Sequence, residues 1–498
     1  MMKKLSMSFL SILSTKTRKS SIAGLILLAL FICYTLPTTT STTLFYYKNE
    51  KYPIQRKMLP TTKEPPTIPS FEEEKYLAYL PHSGLSNQRI ELANALLLSQ
   101  MLNRTLIIPP AFLGSVFGWM NRVQLEERLE WLTTPKDFSK ICQNPKPGTL
   151  ASYVQRSRCA EYRNFGVLSW TDLHDFSPLQ EVGIKFQFQS VVSMKQIKED
   201  LQLNDSDIYL HQDAQLYDWQ LYQNQSQAVE LLKNRFNYFD SFSGRHYYKV
   251  LLPRHFQRRT EKLLYLGGIF GSTRFNLIDA QDKQMQEMIK QVLHYRLDTP
   301  LGETVKGIVN YLGGKGSFTS VHFRTGDNPF RKDVPANLAL FAKNMTEIIS
   351  HETYVQRHED HASVDLAHHC LSIASTSSFN GDNSNTDGSS EHQFSSEQLA
   401  KRAKVYIATD HRDPRGVSSS LLPWFDRFPC TTVLNDLPEH LFTPLRGLQD
   451  LVVPSKSLKN FLIPLVDAMV AANGKRILTT PRSTFSKYIE ELHNAWVQ

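Results

Sequence analysis

The 498-residue sequence predicts an α/β fold in two halves, each a sheet of strands alternating with helices, and three regions carry that prediction. His82–Pro110 reads as a Gly-containing turn and a helix with Leu92, Ala93, Leu96, Leu97 and Met101 at helical spacing. A strand follows, Leu106–Ile108, stopped by Pro109-Pro110. Thr319–Asp327, TSVHFRTGD, alternates Val321 and Phe323 with His322 and Arg324 before the turn residues Thr325-Gly326-Asp327. It predicts a strand that delivers polar groups to its carboxyl end. In the third region, Val405–Asp410 is an apolar strand ending in Thr409-Asp410. Val466–Ile489 then reads as helix, strand, and a helix opened by Ser483-Thr484-Phe485-Ser486.

Ligands in open α/β sheets sit at the carboxyl ends of the strands. An arginine fixed there offers a planar fork of donors that suits a diphosphate better than a lysine's point charge. The plainer reading of Arg324 is a strand-end salt bridge with Asp327. Hydroxyls and amides at a helix start such as Ser483–Ser486 make an anion site.

At 41% hydrophobic residues the chain is long enough for two domains with their own cores. Its formal charge of +8 points to acidic partners: nucleic acid, an anionic membrane surface or a nucleotide sugar. The nearest approach to a nucleic-acid patch of basic and aromatic residues, Arg254–Arg259, reads as a solvated face, so no nucleic-acid partner is expected. The element order starts with a basic tail, 1–19, containing Lys3, Lys4, Lys16, Arg18 and Lys19. The uncharged run 20–36 then reads as a signal-anchor with the positive side in the cytosol, a cleaved signal peptide being the rival. The Thr- and Pro-rich 37–69 reads as a stem. Two domains follow, at 70–298 and 299–498.

That topology places the bulk of the chain in the secretory lumen, where disulfides persist. Cys142 with Cys159 is the expected pair, because Cys370 adjoins a polar, aperiodic segment at about 372–398 that reads as a disordered insertion. Asn204, Asn224 and Asn344 are candidate N-glycosylation sites; Asn103 has the same motif but abuts a strand. Several patterns suggest chemistry they do not support. Histidines 351, 358, 361, 368 and 369 match no metal-ligand spacing. Asp205-Ser206-Asp207 has the D-x-D pattern but lies in a polar surface stretch. Gly313–Ser317 lacks the spacing of a phosphate-binding loop and reads as the turn before Thr319.

Four segments in order resemble the protein O-fucosyltransferase superfamily of GDP-sugar glycosyltransferases, from about Tyr76 to the end. Gly84, Asn87 and Gln88 match its opening G-x-x-N-Q, His322–Asp327 its H-F-R-x-G-D, and Thr409-Asp410 its strand ending. Asp467, followed by Ser483–Ser486, matches its last motif, and Leu266–Phe275 resembles its mid-chain marker.

The resemblance implies a GT-B-like fold, two Rossmann-like αβα domains facing across a cleft, and transfer of L-fucose from GDP-fucose to a protein or glycan hydroxyl with inversion. It implies no metal. Arg324 would grip the diphosphate and Asn87 would orient substrates. His322, Asp327, Asp410, Asp467, Ser483, Thr484 and Phe485 would surround the donor, with Asp467 open to a purely structural reading. Some relatives carry a glutamate just before the motif glycine, but in this chain that position is Ser83, so the base is open among His82, Asp327 and none. Another nucleotide sugar such as rhamnose, or an inactive membrane-anchored binding protein of the same fold, are the alternatives.

Overall fold

Short strands that are apolar on both faces are stable only in a sheet covered on both sides, and parallel crossovers put helices in that position. The computed structural model describes residues 73–138, 142, 150–211, 213–215, 217–233, 247–359 and 396–497. The expected tail, anchor and stem lie outside the described residues, as does the expected insertion up to 395; its last three positions begin the helix Ser396–Arg402. No helix among the described residues is long and apolar enough to cross a membrane.

In chain order the first strands are β1 (Tyr76–Ala78), β2 (Thr105–Ile108), β3 (Ala111–Gly114), β4 (Phe165–Leu168), β5 (Phe186–Phe188) and β6 (Ile208–His211). They are followed by β7 (Trp219–Tyr222), β8 (Lys249–Leu251), β9 (Leu263–Leu266) and β10 (Phe275–Asn276). The main sheet among them is all parallel, in the order β5-β2-β1-β9-β6. The chain builds outward from β1 on one side, then crosses and builds on the other, so β1 is a topological switch point. β3 and β4 form a small antiparallel pair, and β7, β8 and β10 a third sheet.

The later strands are β11 (Thr319–Phe323), β12 (Val405–Thr409), β13 (Thr431–Val433) and β14 (Arg476–Thr479). They form a four-stranded parallel sheet, β13-β12-β11-β14, with its switch point at β11. The turn before β11 is the Gly313–Ser317 stretch, whose Gly313, Gly314 and Gly316 all have positive φ.

Four helices matter to the site: α1 (Leu85–Met101), α2 (Arg122–Thr133), α3 (Lys459–Ala472) and α4 (Thr484–Val497). Phe71–Gln498 is one compact unit. A single apolar cluster runs through it, from Leu77, Leu92 and Leu264 around the first sheet to Tyr406, Val466 and Tyr488 around the second.

All five residues of β11 are buried, as a strand covered on both sides requires, so His322 on the strand is an internal tie and the polar groups emerge past its carboxyl end. Cys142 and Cys159 are joined in a disulfide, with Cα atoms 5.2 Å apart. Asn103 and Asn204 are exposed, Asn224 caps the helix Gln225–Lys233 through Oδ1, and Asn344 sits on the helix Phe330–Glu359.

Candidate functional site

The second switch point gathers the carboxyl ends of three adjacent strands. Phe323 is in register with Thr409 on β12, and His322 with Thr479 on β14, so Arg324, Asp410 and Thr480 come out side by side. The Arg324 amide donates to Thr480 Oγ1 at 3.0 Å, and that hydroxyl donates to the His322 carbonyl at 2.8 Å. The guanidinium is held by two carboxylates: Nε donates to Asp327 Oδ1 at 2.9 Å, and NH1 lies 3.2 Å from Asp410 Oδ2. The Arg324 side chain is 30% exposed, so a ligand can reach it.

Asp410 organises the loop as much as it neutralises the arginine. Its Oδ1 accepts from the Thr325 amide at 2.6 Å and hydroxyl at 2.9 Å, and its Oδ2 from the Gly326 amide at 3.0 Å. A Cβ on Gly326 would stand 2.7 Å from Asp410 Oδ2, so this close approach requires glycine.

The S-T-F-S motif begins α4. Ser483 Oγ accepts the amide of Ser486 at 3.2 Å, which makes Ser483 the N-cap. Ser483 is buried, while Thr484 and Phe485 are partly exposed. His322 lies beneath: it is 2% exposed, its Nδ1 meets Ser486 Oγ at 2.7 Å, and its ring packs at 5.3 Å from Phe485. Burial lowers its pKa to about 4, with Asp410 opposing and Arg324 reinforcing, so the ring is neutral at physiological pH.

Asp467, on α3, is also internal. It accepts the Tyr406 hydroxyl at 2.5 Å and the Thr409 amide at 2.9 Å. Burial raises its pKa to about 7 against the pull of those two hydrogen bonds. The structure thus brings Arg324, Asp327, Asp410, Thr484 and Phe485 to an accessible edge, with His322, Asp467 and Ser483 supporting it from within.

The first switch point holds the opening motif. Ser83 is in the left-handed region at φ 65°, and Asn87 Nδ2 donates to its Oγ at 2.8 Å. Gln88 reaches the backbone of Phe112, accepting its amide and donating to its carbonyl, both at 3.0 Å. The mid-chain marker follows β9, next to β1: a Cβ on Gly268 would lie 2.8 Å from the His82 ring. Burial, with Arg274 second, lowers the His82 pKa to about 4. Its Nδ1 has no hydrogen-bond partner. Glu91, wholly buried, accepts the His82 amide at 2.7 Å, and burial raises its pKa well above the usual range.

Arg89, next in the sequence after Gln88, joins the two switch points. Its guanidinium carbon lies 3.4 Å from the centre of the Tyr488 ring on α4, and NH2 meets Glu491 at 3.3 Å. Arg89 and Tyr488 are each four residues past the start of their helices, a rise of only about 6 Å, so the first turns of α1 and α4 lie together.

Sequence reasoning missed Arg89, Thr480, Tyr406 and Glu91. Arg89 directly follows the motif's Asn87-Gln88, and Thr480 lies three residues before Ser483, but no local pattern says which partner each will meet. The D-x-D residues stand elsewhere, in a surface turn: Asp205 pairs with Lys198 at 2.6 Å and Asp207 accepts the Asn204 amide at 2.8 Å. Among the described residues, no group of three His, Cys, Asp or Glu is placed to hold a metal ion.

No family model matches the chain. It is 65% identical to O-fucosyltransferase 30 of Arabidopsis thaliana over 37 residues, which are 7% of this chain and 7% of that relative's length. Among solved structures, fucosyltransferase NodZ from Bradyrhizobium is 11% identical, covering 84% of this chain and 94% of its own at a TM-score of 0.33. POFUT1 in complex with GDP-fucose is 11% identical, covering 82% and 98% at 0.29. Superpositions this loose assign no residue a role. Through its ordered motifs and that short stretch of high identity, the chain is similar in sequence to the O-fucosyltransferase-like superfamily.

Proposed function

We propose that the chain is an inverting glycosyltransferase that moves L-fucose from GDP-fucose to a hydroxyl acceptor, on a GT-B-like frame of two Rossmann-like halves. The observation that carries this is the convergence of Arg324, Asp410 and the start of α4 at one switch point. It is a site built for a diphosphate: a planar cation, a hydroxyl-capped helix start and a loop pinned in place. The name of the relative matched over 37 residues favours fucose over the alternatives.

In the reaction the acceptor oxygen bonds to the anomeric carbon as the bond to the GDP oxygen breaks. Arg324 and the first amides of α4 would stabilise the charge gathering on the diphosphate. Asn87 would orient the acceptor side from the start of α1. The acceptor proton goes to Asp327, to His82 or to water. His82, neutral with an unpartnered Nδ1, is available but a weak base at a pKa of about 4. With cationic groups already at the diphosphate, the reaction needs no divalent metal.

The basic tail and apolar run at the amino terminus support a type II anchor in the endoplasmic reticulum or Golgi membrane, with the enzyme lumenal. The Cys142–Cys159 disulfide fits that compartment. Thermal shift of the full chain tests the donor: GDP should raise the melting temperature, in EDTA as in magnesium, while UDP and dTDP should not. An equal response to UDP would defeat the GDP assignment, and a response lost in EDTA would defeat the metal-free one.

A further inference from the structure

The carboxyl ends of three adjacent strands also meet at the first switch point. His211, the last residue of β6, is in register with Leu266, the last of β9, and β9 pairs with β1 on its other side. Asp213, Gly267-Gly268 and His82 therefore leave the sheet as neighbours. Asp213 Oδ2 would lie 2.5 Å from a Cβ on Gly267, and the His82 ring 2.8 Å from one on Gly268, so each side chain rests where only a glycine leaves it room. The segment that follows the two glycines is tied to α1, where Asn94 Nδ2 donates to the Ile269 and Gly271 carbonyls at 2.8 and 3.1 Å. His82 directly precedes Ser83, the partner of Asn87, which sets Asp213 on the side of the opening motif.

Asp213 is the acid of this group that solvent reaches: it is partly exposed, whereas Glu91 is wholly buried. Its Oδ1 accepts the Trp219 indole N–H at 2.9 Å, which orients the carboxylate with Oδ2 over Gly267. Transfer to a hydroxyl needs a proton acceptor on the acceptor's side. Asp327 stands on the donor side and is held by Arg324 Nε at 2.9 Å, so protonating it would break that ion pair. His82 Nδ1 is buried.

We propose that Asp213 is the general base of the transfer. As the acceptor oxygen bonds to the anomeric carbon and the bond to GDP breaks, the hydroxyl proton passes to Asp213 Oδ2 and from there to solvent. This rests on the reading of the chain as a sugar transferase and adds the residue that takes the proton. Burial raises the Asp213 pKa to about 7; Arg274 opposes that rise, Asp218 adds to it, and the Trp219 hydrogen bond and Lys249 oppose it. A carboxylate poised near neutrality can both take the proton and release it.

The test is GDP release from GDP-fucose by the full chain, with water or azide as the acceptor, for wild type and Asp213→Asn. Water must lose a proton as it attacks; azide, already an anion, need not. With water, wild-type turnover should fall as pH drops through about 7, and Asp213→Asn should be about a hundredfold slower without that fall. With azide, wild-type turnover should stay level across the same pH range and Asp213→Asn should match it, with fucosyl azide as the product. Asparagine keeps an oxygen for Trp219, so the variant should melt no lower than wild type and respond equally to GDP. Near-normal turnover of Asp213→Asn in water, or a loss that azide does not relieve, overturns the base. So does a wild-type fall with pH that persists in azide, which needs no variant to fold. Wild type that binds GDP but releases none with either acceptor would defeat the transferase reading itself, and the base with it.

Discussion

His322 and Asp467 lie beneath the strand ends that carry Arg324 and Asp410, and their buried positions push their pKa values in opposite directions. The histidine, at about 4 in the fold against 6.5 unfolded, lacks a proton that the unfolded chain holds between those values, so it makes stability rise with pH there. Its contribution is complete above pH 6.5 and is lost as pH falls towards 4. The aspartate, at about 7 against 3.8, holds a proton that the unfolded chain has released, so it makes stability fall with pH across that window. Between pH 4.5 and 6, His322→Asn should therefore reduce the slope of unfolding free energy against pH, and Asp467→Asn should increase it. Each change should approach about 1.4 kcal/mol per pH unit. Denaturant unfolding at several pH values reads both, and shifts of the same sign would refute a neutral His322 paired with a protonated Asp467. Asparagine retains hydrogen-bonding groups at either position, which keeps the comparison on charge rather than on a lost contact.

Among the elements, α4 does the most with the least sequence. Its first turn carries the S-T-F-S motif, caps itself through Ser483, receives His322 through Ser486, and meets α1 through Tyr488 and Arg89. Ser483→Ala should cost about 1 kcal/mol of stability, and Ser483→Gly only a few tenths, because glycine is tolerated at an N-cap and alanine is not. Equal losses, measured by urea unfolding, would show that the cap is not what Ser483 supplies. The elements themselves were legible: the Leu85–Met101 helix from its apolar spacing, the strand at Thr105–Ile108 from its proline stop, and α4 from its hydroxyl-rich start. Which groups meet at the strand ends was not: no local pattern pairs Arg324 with Thr480, or Asp467 with Tyr406.

At the scale of the molecule, the motifs and their order could be read from the chain, but not how they assemble. That depends on strand order, which makes β1 and β11 switch points, and on Arg89 meeting Glu491 across 402 residues of sequence. Long-range pairing of this kind leaves no local periodicity. The result is one compact body in which the opening motif and the strand-end cluster around Arg324 come together through the contact of α1 with α4. The central claim is that Arg324 performs donor chemistry there instead of serving only as the ion-pair partner of Asp327 and Asp410. The most direct measurement is GDP release from GDP-fucose by the full chain, compared for wild type, Arg324→Lys and Asp327→Asn, with melting temperatures alongside. Lysine keeps the charge but loses the fork, so turnover should fall on the order of a hundredfold, about 3 kcal/mol of transition-state stabilisation, while melting barely changes. Near-normal turnover in Arg324→Lys, with matching loss of stability in Asp327→Asn, would reduce Arg324 to a strand-end salt bridge and contradict the assignment.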